Sequence, residues 1–108
     1  MRVTPFREGV YQQVALIPYG CVTSYGAIAR ALGEPQRARE VGWALFSTPA
    51  GSGLPAHRVV NVRGELSGGW AFGGVAVQRA RLEAEGVPFL PDGRVDLRAR
   101  PLRQGQAP

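Results

Sequence analysis

Residues 24–46 read SYGAIARALGEPQRAREVGWALF. Ser24 is placed to cap a helix that runs to about Leu32, because Tyr25, Ile28, Ala29 and Leu32 recur at helical spacing. Gly33 ends that helix, and Gly33-Glu34-Pro35 forms a turn. A further helix follows from about Gln36 to Phe46. It buries Ala38, Val41 and Leu45 and carries Arg37 and Arg39 on the polar side of its first turns. Two short helices joined by a glycine-containing turn make either a helix-turn-helix unit or an ordinary helical hairpin.

Upstream, Thr4 and Pro5 form a helix start, a capping residue followed by proline at the first helical position. Phe6, Val10, Val14 and Ile17 give that helix a buried stripe, and Pro18-Tyr19-Gly20 stops it. Cys21-Val22-Thr23 is a short extended piece. Downstream, residues 48–53 form a loop of small residues. Val59 to Val62, a turn at Arg63-Gly64, and Leu66 read as a β-hairpin wing. Residues 68–74 hold four glycines and two aromatics, Trp70 and Phe72, a composition that suits a pocket rim better than a core element. A last helix covers about Val75 to Glu85, with Arg79 and Glu83 paired one turn apart and Gly86 as its cap. Beyond it, one strand is expected around Arg94 to Leu97, then a frayed basic tail. The expected division is a domain over residues 1–90 and a basic C-terminal tail over 91–108.

The chain has 108 residues, enough for one small domain with a thin core. No apolar stretch approaches the roughly 20 residues of a membrane span. The start, Met1 to Pro5, lacks the apolar run of a signal peptide, so a cytoplasmic location and no membrane partner are expected. Cys21 is the one cysteine and His57 the one histidine, so no internal disulfide forms and a metal site built from protein ligands alone is not expected. The net charge is +5, and all 13 basic residues are arginine, the side chain best suited to planar contact with phosphates and bases. Residues 1–90 alone carry nine arginines against six acids, so the basic bias does not depend on the tail. A basic small domain points weakly to nucleic acid, and a GC-rich coding sequence explains the arginines equally well.

The run Pro55-Ala56-His57-Arg58-Val59-Val60 changes the weight of these readings. It resembles the Pro-Cys-His-Arg-Val signature of the O6-alkylguanine-DNA alkyltransferases. Ile17-Pro18-Tyr19-Gly20, Thr23-Ser24-Tyr25-Gly26, Ala38-Arg39-Glu40-Val41-Gly42 and Glu85-Gly86 resemble that family's other motifs, in order and at suitable spacing. The resemblance covers roughly residues 5 to 90. It implies a mainly α, winged helix-turn-helix fold with a small β wing, acting as a monomer on double-stranded DNA without a cofactor or metal.

The departure is Ala56. Alkyl transfer needs a sulfur nucleophile in its thiolate form. In the family a histidine beside that cysteine works through water with a glutamate to draw off the thiol proton, and His57 and Glu85 occupy those positions. The methyl group of alanine has no lone pair to attack carbon, so the resemblance points to the alkyltransferase-like proteins. These bind O6-alkylguanine by nucleotide flipping without alkyl transfer and flag it for nucleotide excision repair, which makes excision repair proteins expected partners. By the same resemblance the second helix of the helix-turn-helix lies in the minor groove, and Arg39 fills the place vacated by the flipped nucleotide. Tyr25 crowds the target phosphate. Small residues at Ala27, Ala31 and Gly42 let the backbone approach DNA. Pro55, Ala56, His57 and Val59 line the pocket, with the carbonyls of Ala56 and Val59 facing the exocyclic amine of guanine. Trp70 and Phe72 are candidates for contact with the alkyl group or base face, and Glu85 supports the pocket through His57. The segment from Leu66 to Gly74 is about two residues longer than the family's. Two rival readings stay open: a sequence-specific winged-helix regulator, and an alkyltransferase with a displaced nucleophile such as Cys21.

Overall fold

The computed structural model describes residues 5–48, 51–66 and 73–103. In chain order the elements are α1 (Pro5–Ala15), β1 (Thr23–Ser24), α2 (Tyr25–Ala31), a 3-10 turn (Pro35–Arg37), α3 (Ala38–Phe46), a second 3-10 turn (Ala56–Arg58), β2 (Val59–Val60) and α4 (Val75–Ala84). The mainly helical architecture expected from the sequence is present.

The helix-turn-helix forms for local reasons. Ser24 has extended backbone angles, and its Oγ accepts a hydrogen bond from the Ala27 N–H at 3.1 Å, satisfying one of the free donors at the start of α2. After Leu32 the chain reverses at Gly33, whose φ of +76° only glycine adopts without strain. The helix expected from Gln36 begins as the 3-10 turn Pro35–Arg37, closed by a bond from the Arg37 N–H to the Glu34 carbonyl at 2.9 Å, and becomes α-helical at Ala38. Tightened first turns of this kind are common at helix N-termini. At α1, Pro5 opens the helix as expected, while Thr4 lies outside the described residues.

Two apolar clusters hold these elements. The first joins Val10 and Val14 of α1, Ile17 just after it, Ile28 and Ala29 of α2, Val41, Ala44 and Leu45 of α3, and Val59. The second joins Val22, Val60, Leu82, Val87 and Val95, with Leu66, Phe89, Leu97 and Leu102 packed on it. Neighbouring residues of a strand face opposite sides, so β2 sends Val59 into the first cluster and Val60 into the second. The short strand is therefore the partition between the two cores.

The partner of β2 differs from the expected hairpin. It pairs in parallel with β1, Thr23 opposite Val59 and Ser24 opposite Val60. A turn does follow, with the Gly64 N–H bonded to the Asn61 carbonyl at 2.9 Å. The Asn61 side chain then accepts from the N–H groups of both Arg63 and Glu65 at 2.9 Å, which satisfies locally the backbone that a longer hairpin would have paired. The far side of the turn is taken by the C-terminal segment: the Val95 N–H donates to the Gly64 carbonyl at 2.8 Å. A Cβ at Gly64 would lie 2.8 Å from the Val95 carbonyl oxygen, so the contact requires glycine there.

That segment also corrects the expected division at residue 90. Residues 91–103 do not form a frayed tail. Phe89 and Val95 make an antiparallel bridge, all that remains of the strand expected over 94–97, and Leu102 bridges Val22 in parallel. The Arg103 N–H donates to the Val22 carbonyl at 2.7 Å, and the Thr23 hydroxyl donates to the Arg103 carbonyl at 2.9 Å. The second core would lose one wall without this strap. Val95→Ala is accordingly expected to destabilise the whole domain by roughly 1–3 kcal/mol, read as a shift of the urea midpoint at unchanged slope.

Candidate functional site

Glu85 follows the last turn of α4, where Gly86 (φ +84°) reverses the chain. Its side chain is 8% exposed, and its two oxygens gather donors from two other parts of the chain. The Gly20 N–H donates to Oε1 at 2.9 Å. His57 Nε2 donates to Oε2 at 2.7 Å. Arg58 donates from Nε to Oε1 at 2.9 Å and from Nη2 to Oε2 at 2.9 Å, the fork geometry that suits a carboxylate. Arg58 Nη1 also donates to the Ile17 carbonyl at 2.7 Å, and its guanidinium lies 5.7 Å from the Tyr19 ring centroid. Burial pushes the Glu85 carboxyl upward, but the hydrogen bonds from Arg58, His57 and Gly20 outweigh it and hold the group down at about 2. An ionised Glu85 places the imidazole proton of His57 on Nε2. His57 Nδ1 is buried without a hydrogen-bond partner among the described residues.

Ala56 opens the 3-10 turn next to this network and packs half-buried against the first core. Its carbonyl accepts from the Val59 N–H. Behind the turn, Gln78 of α4 is fully buried, and its Nε2 lies 3.2 Å from both the His57 and the Val59 carbonyl oxygens. Gln78 Oε1 is buried with no hydrogen-bond partner among the described residues, a condition that costs about 1–3 kcal/mol unless something fills it.

The structure brings Ala56, His57, Val59 and Glu85 together, with Pro55 at the entry to the turn. Trp70 and Phe72 lie outside the described residues. On α3, Arg37 pairs with Glu40 and lies 3.8 Å over the Phe6 ring, whereas Arg39 is exposed and makes no ion pair among the described residues. Of the two arginines, Arg39 is thus the one available to a ligand. Tyr25 packs against the first core, and a Cβ at Gly42 would lie 3.8 Å from its ring, so the small residue lets the ring lie against α3. Ala27 is buried, which removes it from the expected DNA-facing set, while Ala31 and Gly42 are half-buried. Cys21 is half-buried on the first core, as a small apolar residue would be.

Two members of this network, Arg58 and Gln78, and one exposed neighbour of Arg39 were not singled out from the sequence. Arg58 was visible as part of the signature, but nothing local announced its grip on Glu85. Gln78 looks like any surface glutamine on a helix. Trp43 is 63% exposed one turn after Arg39 and on the same face of α3, which only the burial pattern reveals.

The Glu85 network makes stability depend on acid. Its carboxyl falls from an ordinary value of 4.5 to about 2 on folding, so its contribution is complete above pH 4.5 and is lost as pH drops toward 2. Urea unfolding of the parent is expected to weaken progressively over that window. Glu85→Gln is expected to be less stable at neutral pH and nearly flat over the same window.

Comparison with known proteins places this geometry. The chain is 47% identical over 94 residues to a DNA base-flipping protein of Escherichia coli, covering 85% of this chain and 70% of that protein. It is 45% identical over 87 residues to alkyltransferase-like protein 1 of Schizosaccharomyces pombe, covering 81% of each. Among solved structures, S. pombe Atl1 in complex with damaged DNA containing O6-carboxymethylguanine superposes with a TM-score of 0.80 at 38% identity, over 95% of this chain and 99% of that one. Mycobacterium tuberculosis OGT in complex with DNA matches at a TM-score of 0.70 and 41% identity, over 78% of this chain and 51% of that one. The model of the DNA-binding domain of 6-O-methylguanine DNA methyltransferase matches residues 5–87, and the chain belongs to that family.

Proposed function

We propose that this protein binds O6-alkylguanine in duplex DNA by turning the damaged nucleotide out of the stack, and that it holds the base without taking the alkyl group. The observation that carries this reading is Ala56. The proton-handling groups His57 and Glu85 are in hydrogen-bond contact at 2.7 Å, yet the residue they would serve is a methyl group. A methyl group neither attacks carbon nor ionises. The relatives named for base flipping and the Atl1 complex with damaged DNA support the same reading.

In this scheme α3 enters the minor groove and Arg39 takes the vacated position in the stack, where a planar guanidinium hydrogen-bonds the orphaned base. Tyr25 crowds the target phosphate. The pocket is walled by Pro55, Ala56, His57 and Val59. Selectivity follows from the lesion itself, since O6-alkylation weakens pairing and lowers the cost of extrusion. The protein works as a monomer. A lesion that is held and not repaired is handed to nucleotide excision repair proteins, for which the persistent complex is the signal.

A competition binding assay at fixed salt, with duplexes carrying O6-methylguanine or guanine, tests the reading. Preference for the modified duplex is expected, with no mass gain on the protein; equal affinity sinks it. Arg39→Ala is expected to weaken lesion binding by roughly 1–3 kcal/mol, the scale of a base contact, without unfolding the domain. Ala56→Cys restores the missing sulfur beside a His57 whose proton is fixed on Nε2. Slow, single-turnover methyl transfer to the new thiol is expected, visible as a stoichiometric mass gain on its tryptic peptide. Absence of transfer in a folded, lesion-binding variant would mean that the loss of chemistry extends beyond one atom.

A further inference from the structure

Gln78 is fully buried, and its amide has only one workable orientation. Nε2 faces two carbonyl oxygens, of His57 and Val59, at 3.2 Å each. Rotating the amide by half a turn would set oxygen against both. With Nε2 committed to the wall, Oε1 is left as a buried acceptor that no donor among the described residues meets. Side chains on a helix lean toward its N-terminus, and from the first turn of α4 the Gln78 amide reaches the wall segment that holds His57 and Val59.

The donor that fits follows from the chemistry of the base. O6-alkylation removes the hydrogen from N1 of guanine, so the exocyclic 2-amine is the one hydrogen-bond donor left on the edge of the base. That amine has two hydrogens. The two wall carbonyls offered to it by resemblance each already carry a partner: Ala56 O accepts from the Val59 N–H, and Val59 O from Gln78. Each of those oxygens keeps a second lone pair, and Oε1 sets a third acceptor beside them, one that no donor among the described residues engages.

We infer that Gln78 reads the flipped base, its Oε1 accepting a hydrogen bond from the exocyclic amine while its Nε2 holds the wall carbonyls in place. This rests on the function proposed above. It adds a residue that selects guanine-derived lesions over the same alkylated purine without the amine.

The test compares three duplexes, carrying O6-methylguanine, guanine, or O6-methylhypoxanthine, which keeps the methyl group and lacks the amine. The intact protein is expected to bind the amine-free lesion roughly tenfold more weakly than O6-methylguanine, and Gln78→Met is expected to abolish most of that difference. An intact protein indifferent to the amine overturns the inference without any variant. A Gln78→Met protein that keeps the full difference overturns it too, and leaves Gln78 a packing residue. Should Gln78→Met fail to fold, Gln78→Lys retains a donor for the two carbonyls and lacks the acceptor; loss of the amine effect supports the inference and its retention overturns it. Failure of the underlying function looks different, because then O6-methylguanine and guanine duplexes bind alike.

Discussion

One carboxylate organises the site. Glu85 accepts from the Gly20 N–H, from His57 and twice from Arg58, so the turn after α1, the segment that carries Ala56 and the end of α4 meet at a single pair of oxygens. Burying such a charge is costly, and a buried ion pair is not by itself a source of net stability compared with apolar packing. Its value lies in register. Four donors of fixed direction around one acceptor tolerate little sliding, and Arg58 extends the constraint to the Ile17 carbonyl at the end of the first core. The Gly20 carbonyl is held in turn by Arg100 at 2.7 Å, which ties the C-terminal strap into the same arrangement.

The pocket wall inherits this rigidity from both sides. Glu85 fixes the side chain of His57, while Gln78 fixes the backbone of His57 and Val59 from the opposite helix turn. Two buried polar atoms at this wall, His57 Nδ1 and Gln78 Oε1, have no hydrogen-bond partner among the described residues. Both follow from how firmly the rest of each side chain is engaged.

How much of this was legible varied with the range of the interaction. The helices of residues 5–46 were readable because caps, stop signals and apolar spacing act within a few residues, as the Ser24 hydroxyl on the Ala27 N–H illustrates. The pairing of Thr23 with Val59 was not, since strands of two residues joined across 36 positions leave no periodic trace. The Asn61–Gly64 turn resembled a hairpin in sequence, but Asn61 used its side chain to close the turn on itself. The strap was missed because Phe89, Val95, Leu97 and Leu102 are scattered among arginines, prolines and aspartates, a composition that mimics a solvated tail. At the site, resemblance supplied His57 and Glu85. It said nothing of Gln78, because a glutamine on a helix is buried only by what packs over it.

The loss of the thiol changes which quantities matter for the proposed function. A cysteine that accepts an alkyl group makes capture irreversible, so affinity need only last as long as the reaction. With Ala56 the complex stays at equilibrium, and extrusion of the nucleotide, at a few kcal/mol, has to be offset entirely by contacts. Phosphate contacts contribute equally on any duplex and fade with salt, so they cannot distinguish damage. On the proposed reading, discrimination rests on the lowered pairing of the lesion and on the groups assigned to the displaced base and its partner, Arg39 on the stack side and the His57–Val59 wall with Gln78 on the other. A wall held in advance by Glu85 and Gln78 gives up little freedom when the base arrives, and pre-organisation of this kind lengthens the life of a complex that has no covalent step to end it.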